Sequence, residues 1–261
     1  MLKPSALILA TVLSAGCASI PAVPAAARAE LAPQGKLRAG MNLANTLFTK
    51  KDTTSGELQG VSVDVMRELA SRLGVPVDFV VHATPGQVAD DSTKGTWDVA
   101  ILAIEQSRAK TITFSPPISE IEASYLVHKD SALRTAGQVD ASGIRIAVAD
   151  KAGYELYLTR VLRNATLVRA PSLQGAVDLF IDRRGDTLAG LKPNLLDLIE
   201  ARPALRLLEG NFMVVNHGLG APSNRPAAAA YLKAFVEEMN NSGFMARSIA
   251  RHGVKGLTAV K

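Results

Sequence analysis

The sequence predicts an α/β fold in two lobes, and three observations carry that reading. Strand-like and helix-like segments alternate from Lys36 onward, as they do in α/β proteins. The alternation runs as two successive series. A helical tail is left over after the second, and 261 residues are enough for two lobes, each with its own core.

The first series opens with Leu37 to Asn42 (LRAGMN) as a short strand. Ser62 to Leu73 reads as a helix, because Val63, Met66, Leu69, Ala70 and Leu73 recur at three- and four-residue spacing and Gly74 supplies a stop. Val77 to Val81 (VDFVV), opened by Pro76, is a second strand, and a polar, helical stretch follows it. Asp98 to Ile104 (DVAILAI) is nearly continuous in apolar residues, the mark of a buried strand. Strand, helix and strand in this order predict a parallel sheet with right-handed crossovers. Ala123 to His128 (ASYLVH) is another strand, and Lys129 to Ser142 reads as a loop.

The second series begins with Ile144 to Ala149 as a strand, Tyr154 to Asn164 as a helix and Leu167 to Arg169 as a strand. Ser172 caps a helix running to Arg183, with Leu173, Ala176, Val177 and Phe180 on one face. Thr187 to Leu191 is a strand, and Pro193 opens a helix carrying Leu195, Leu196, Leu198 and Ile199. Leu205 to Leu208 and Phe212 to Asn216 are further strands. In the tail, Ser223 or Asn224 caps a helix with Pro226 in its first turn and Ala228 to Met239 as its body. Gly243 separates this from a last helix, Phe244 to His252. The strands that join the two series are expected to act as hinges.

The net charge of +5, from 29 basic and 24 acidic residues, is spread along the chain. No basic stripe interleaved with aromatics is visible, so nucleic acid is not an expected partner. At the N-terminus, Lys3 precedes an apolar run, Ala6 to Ala15, that is too short to span a bilayer. Pro21 and Pro24 follow, and Ala27-Arg28-Ala29 has the small-x-small pattern of a cleavage site before Glu30, which makes residues 1–29 a signal peptide. A second reading competes: Ser14-Ala15-Gly16-Cys17 resembles a lipobox, in which the signal ends before a lipidated Cys17. Both readings export the chain to the periplasm, the second with a lipid anchor. Cys17 is the only cysteine, so disulfides, cysteine zinc sites and a thiol nucleophile fall away. His82, His128, His217 and His252 show no ligand spacing and read as strand or surface residues; no metal and no cofactor is expected.

Five short motifs stand in one order between Gly35 and Gly253. They are LRAGMN; Gly60-Val-Ser-Val-Asp64 with Leu69-Ala70 and Arg72-Leu73-Gly74-Val75; Trp97-Asp98-Val99-Ala100; Arg108-Ala109-Lys110 with Phe114-Ser115-Pro116-Pro117; and Tyr125 to Ser131, with Ser242-Gly243 before the last helix. Together they resemble the bacterial solute-binding proteins of the type 3 (polar amino acid) ABC-importer family. The resemblance implies a type II periplasmic binding protein, with a ligand cleft between lobes joined by hinge strands. Lobe 1 is expected from residues 36–127 plus 216–261, and lobe 2 from 128–215. The implied function is capture of a small polar, amino-acid-like solute by hinge closure and delivery to a membrane permease, without catalysis and as a monomer.

The same resemblance nominates site residues. Arg108 corresponds to an arginine that forms a bidentate fork with the ligand carboxylate. Glu105 stands where the family has a threonine; it either pairs with a cationic group of the ligand, neutralises Arg108 or caps the following helix. Phe48 occupies the position of an aromatic that packs over the ligand, and Asn45 in the same loop is placed to hydrogen-bond it. Lys151-Ala152-Gly153-Tyr154 replaces a Gly-Thr/Ser loop whose amides bind an anion, so Lys151, Gly153 and Tyr154 join the candidates. The family's ammonium-binding aspartate falls near Gly190 or Leu191, and neither is acidic. The solute is therefore either a carboxylate without that amine or one whose cation meets Glu105. Two alternatives use the same fold: a cyclohexadienyl-dehydratase-like enzyme with Glu105 and Lys151 as acid and base, and a solute sensor docking to a separate receptor.

Overall fold

The computed structural model describes residues 22–260, in which the chain first forms a short helix, Ala25–Leu31 (α1), and then the strand Leu37–Asn42 (β1). A hairpin of Lys50–Lys51 (β2) and Leu58–Gln59 (β3) leads into Val61–Leu73 (α2). The apolar stripe of α2 is buried, and Gly74 ends the helix in the left-handed conformation at φ 64°. Val77–His82 (β4), Pro85–Asp90 (α3) and Val99–Ala103 (β5) follow. All five residues of β5 are buried, as its unbroken apolar run requires. A long strand, Ile112–His128 (β6), then carries the chain to the second series.

That series comprises Arg145–Ala149 (β7), Gly153–Val161 (α4), Thr166–Ala170 (β8), Leu173–Ile181 (α5), Thr187–Leu191 (β9), Lys192–Ala201 (α6) and Leu205–Leu207 (β10). Met213–Pro222 (β11) returns the chain to the first series. The tail is Pro226–Asn241 (α7), Phe244–Arg251 (α8) and Thr258–Ala259 (β12). Among the described residues, no helix is long and apolar enough to cross a membrane.

The strands lie in the order β4-β1-β5-β11-β6-β9-β7-β8. β1 pairs in parallel with β4 and β5 at one end, and β7 pairs in parallel with β8 and β9 at the other. Between them β6 and β11 form an antiparallel ribbon that touches both ends. The two parallel groups, each with its own helices, are the two lobes, and the ribbon is the connection.

The ribbon is where the structure departs most from the sequence reading. β6 begins at Ile112 rather than Ala123, and β11 runs to Pro222 rather than stopping at Asn216. Pro116-Pro117 and His217-Gly218-Leu219-Gly220 suggest breaks, but they lie opposite each other and the ladder shifts register there. Gly218 serves close packing rather than a turn: a Cβ there would sit 3.0 Å from Ile104 Cδ1 and 3.2 Å from the Ser115 carbonyl oxygen.

The N-terminus of α7 is a second correction. Arg225 is the cap residue, and neither Ser223 nor Asn224 caps the helix. The Ala228 amide instead donates to the Glu30 carboxylate of α1 at 2.7 Å, and Arg225 donates to the Glu30 carbonyl at 2.8 Å. α1 itself was not anticipated from the sequence. Ala27 and Leu31 are wholly buried against the lobe, and the Ala27-Arg28-Ala29 pattern lies inside this helix. Cys17 and the apolar run before it lie outside the described residues.

Asp98, fully buried, ties the same region together. It accepts from the Arg38 amide at 3.0 Å, from Arg38 Nε at 2.9 Å and Nη2 at 2.7 Å, and from Arg225 Nη1. Every lone pair that burial removes from water is replaced by a charge-assisted bond.

Candidate functional site

A cavity of about 80 Å³ lies between the lobes, against one face of the β6/β11 ribbon. Alternation along β11 turns Val215 and His217 toward it. β5 contributes Ile101, Leu102 and Ala103, and the loop after β1 contributes Asn45, Phe48 and Thr49. From the second lobe come the β7–α4 turn and the starts of α5 and α6.

The first turns of α2, α4, α5 and α6 all reach this cavity, through Ser62, Gly153, Ser172 and Asn194. Helix starts carry the positive end of the macrodipole, so four of them around one space favour an anion there, although the Ser62 amide already donates to the Phe48 carbonyl at 3.0 Å. At Gly153 a side chain is excluded, since a Cβ would lie 2.5 Å from the Ala103 Cβ of the opposite lobe. Ser172 has its hydroxyl engaged, accepting the Gly175 amide as the cap of α5.

Arg108 is 4% exposed and lines the cavity. Its Nη1 donates to the Ala103 carbonyl at 3.0 Å, and its Nη2 donates across the cleft to the Lys151 carbonyl at 2.9 Å. Its Nε has no hydrogen-bond partner among the described residues. Burial pushes the guanidinium down to about 10, against the pull of Glu105, Asp90 and Glu155, so it is charged at neutral pH. A buried cation fixed by two carbonyls, with no carboxylate bonded to it, has the chemistry to meet an anion.

His217 stands beside it, also buried, its ring 4.8 Å from that of Phe48. Its Nδ1 has no partner among the described residues. Burial, together with the Arg108 charge, pushes the imidazole down to about 3, and it is neutral at physiological pH. Tyr154 is buried at the cavity too, and burial raises its phenol, which is likewise neutral.

Of the seven residues nominated from the sequence, Asn45, Phe48, Arg108, Gly153 and Tyr154 line the cavity. Glu105 and Lys151 do not. Glu105 is buried beneath, where it accepts from Arg160 Nη1 of α4 at 3.0 Å. Lys151 turns its ammonium away to Asp90 at 2.6 Å and gives Arg108 only its carbonyl. Both pairs cross from one lobe to the other and hold the cleft shut. Lys151 does this in the left-handed conformation, at φ 54°, with its amide donating to Glu155. The sequence reading did not select His217 or Asn194. His217 sits in a strand whose alternation marks a buried face, a signal that does not separate a lining histidine from a core one. Among the described residues, no group of three or more His, Cys, Asp or Glu is placed to hold a metal ion.

The sequence model of the bacterial extracellular solute-binding proteins, family 3, matches residues 37–255. The chain belongs to this family. No curated protein matches the sequence. Among solved structures, this family-3 solute-binding protein is similar to the solute receptor for L-cysteine of Neisseria gonorrhoeae, with a TM-score of 0.75 and 18% identity over 89% of this chain and 99% of that one. It is similar to holo ArgBP from T. maritima at 0.69 and 20%, covering 84% and 96%. A third likeness is to the ancestral amino acid-binding protein AncCDT-1, a precursor of cyclohexadienyl dehydratase, at 0.71 and 21%, covering 87% and 99%. At these identities the likeness carries the two-lobed fold.

Proposed function

We propose that this solute-binding protein captures a small carboxylate-bearing solute between its lobes and delivers it to the membrane permease of an ABC importer. The observation that carries the reading is Arg108, a buried, charged guanidinium on the cavity wall with four helix starts around the same space. Solved relatives bound to L-arginine or described as receptors for L-cysteine support a solute of amino-acid size. Closure brings Arg108 Nη2 to the Lys151 carbonyl, and the Asp90–Lys151 and Glu105–Arg160 pairs shut the cleft behind the solute. The lobes divide at 127/128, at the end of β6, and at 215/216, within β11, and bending of these two strands opens the cleft. The exported protein acts in the periplasm as a monomer.

The enzyme alternative assigned acid and base roles to Glu105 and Lys151. Their engagement with Arg160 and Asp90, off the cavity wall, favours binding without catalysis. The test is a thermal-shift screen of organic acids and amino acids on the native protein and on Arg108→Ala. A concentration-dependent rise in melting temperature that Arg108→Ala abolishes is the expected result. A rise that survives the substitution undiminished removes Arg108 from the site, and conversion of a bound cyclic acid to product establishes the enzyme.

A further inference from the structure

Resting on the capture of a carboxylate at Arg108, we infer that the solute's remaining polar groups are uncharged, so that a hydroxy or oxo acid is bound in preference to the matching α-amino acid. The buried part of the cavity wall bears one formal charge, that of Arg108. The polar groups around it are neutral: Asn42, Asn45, Thr49, Ser62, Asn194 and His217. A carboxylate at Arg108 neutralises the site. An ammonium added beside it must leave water without a buried counter-charge and face the guanidinium as well, an arrangement that is costly. The two buried acids near Arg108 lie off the cavity wall and are engaged elsewhere: Glu105 accepts from Arg160, and Glu155 accepts from Arg169, Thr159 and the Lys151 amide. At the end of β9, the side chain that reaches the cavity is Leu191, which is apolar. Asp150 does reach the cavity, but its side chain is 46% exposed, with its nearest cation, Arg169, 3.9 Å away. His217 carries an unpartnered nitrogen in a ring that stays neutral beside Arg108, suited to a hydroxyl or carbonyl group.

The experiment is calorimetric titration with matched pairs that differ only in that group, such as L-lactate with L-alanine and 3-phenyllactate with L-phenylalanine. The hydroxy acid of any pair that binds is expected to bind at least tenfold tighter than its amino acid, with both lost in Arg108→Ala. Leu191→Asp, which adds a carboxylate to the wall, is expected to invert the preference, while Leu191→Asn leaves it as in the native chain. An amino acid that binds as tightly as its partner, and loses that affinity in Asp150→Asn, overturns the inference and leaves carboxylate capture standing. Binding that does not depend on Arg108 overturns both.

A separate observation concerns maturation: the structure assigns α1 to the mature protein, so processing ends upstream of Ala25 and not at Glu30. Ala27 and Leu31 are wholly buried, and the helix holds Glu30 where its carboxylate caps α7 and its carbonyl receives Arg225, the residue that also serves Asp98. Removal of residues 25–29 leaves Glu30 as a charged chain end without the turn that positions it. The test is intact-mass and N-terminal determination on the protein recovered after export with its own leader. A first residue at or before Ala25 is expected, and any later start overturns the assignment. Independently, a chain begun at Ala22 is expected to melt several degrees above one begun at Glu30; equal melting temperatures remove the structural ground for the assignment.

Discussion

Asp98 and Arg108 flank the same buried strand, β5, and both are charges taken out of water, yet they are surrounded differently. Asp98 is met by two arginines and a backbone amide, which together satisfy its carboxylate on all sides. Arg108 is given two carbonyls, no hydrogen-bonded carboxylate and one unpartnered nitrogen. A buried ion that the fold completes stabilises the fold. A buried ion that the fold leaves incomplete is held by the rest of the lobe, and under the proposed function its missing partner is the solute. The contrast marks Asp98 as a structural charge and is the ground for proposing Arg108 as a binding one.

The largest effect that bears on this contrast is expected from Arg108→Ala, which should weaken binding of the solute carboxylate on the order of a hundredfold or more while leaving the melting temperature of the free protein little changed. Calorimetric titration beside a thermal melt reads both quantities, and a large loss of stability with retained affinity would reverse the two roles. Asp98→Ala is the mirror case. It strands two arginines and should cost about 3 kcal/mol or more, lowering the melting temperature by roughly 10 °C, with affinity in the folded protein close to native.

Next in size is a pH effect at His217. Its folded value of about 3 lies below its ordinary value of 6.5, so below pH 6.5 the unfolded chain takes up a proton that the folded chain refuses. The stabilisation is present above 6.5 and is lost as pH falls, by up to about 1.4 kcal/mol per pH unit. Melting temperatures of His217→Asn measured from pH 7 to pH 4 should therefore decline less steeply than those of the native protein. The smallest effect belongs to Lys151→Ala, which removes a half-exposed ion pair. Affinity should fall by a few-fold at low salt, with the difference shrinking as salt is added.

Much of the fold could be read from periodicity. β1, α2, β5, α5 and β9 were legible because each has one dominant pattern and a clear stop, as with Gly74 after α2 or Ser172 before α5. The β6/β11 ribbon was only half legible, because its prolines and glycines signal turns locally while their opposition across the ladder is a tertiary fact. α1 was obscured by the leader-like residues around it, and its role as a cap for α7 spans nearly the whole chain. At the site, Arg108 stands in an ordered motif and Phe48 and Gly153 were nominated by their place in the resemblance, and all three line the cavity. Glu105 and Lys151 do not line it, since spacing shows that an acid or a lysine is near the cleft but not that Arg160 or Asp90 claims it.

The hydrogen bond from Arg108 to the Lys151 carbonyl has a kinetic consequence. Because the proposed anchor of the solute is also tied to the opposite lobe, release of the solute and separation of the lobes are expected to be one event. Residence time then measures how often the cleft opens, whereas the rate of capture reflects diffusion into the open form. Substitutions at Asp90 or Arg160, remote from the solute, should accordingly shorten its stay in stopped-flow traces while leaving its arrival unchanged.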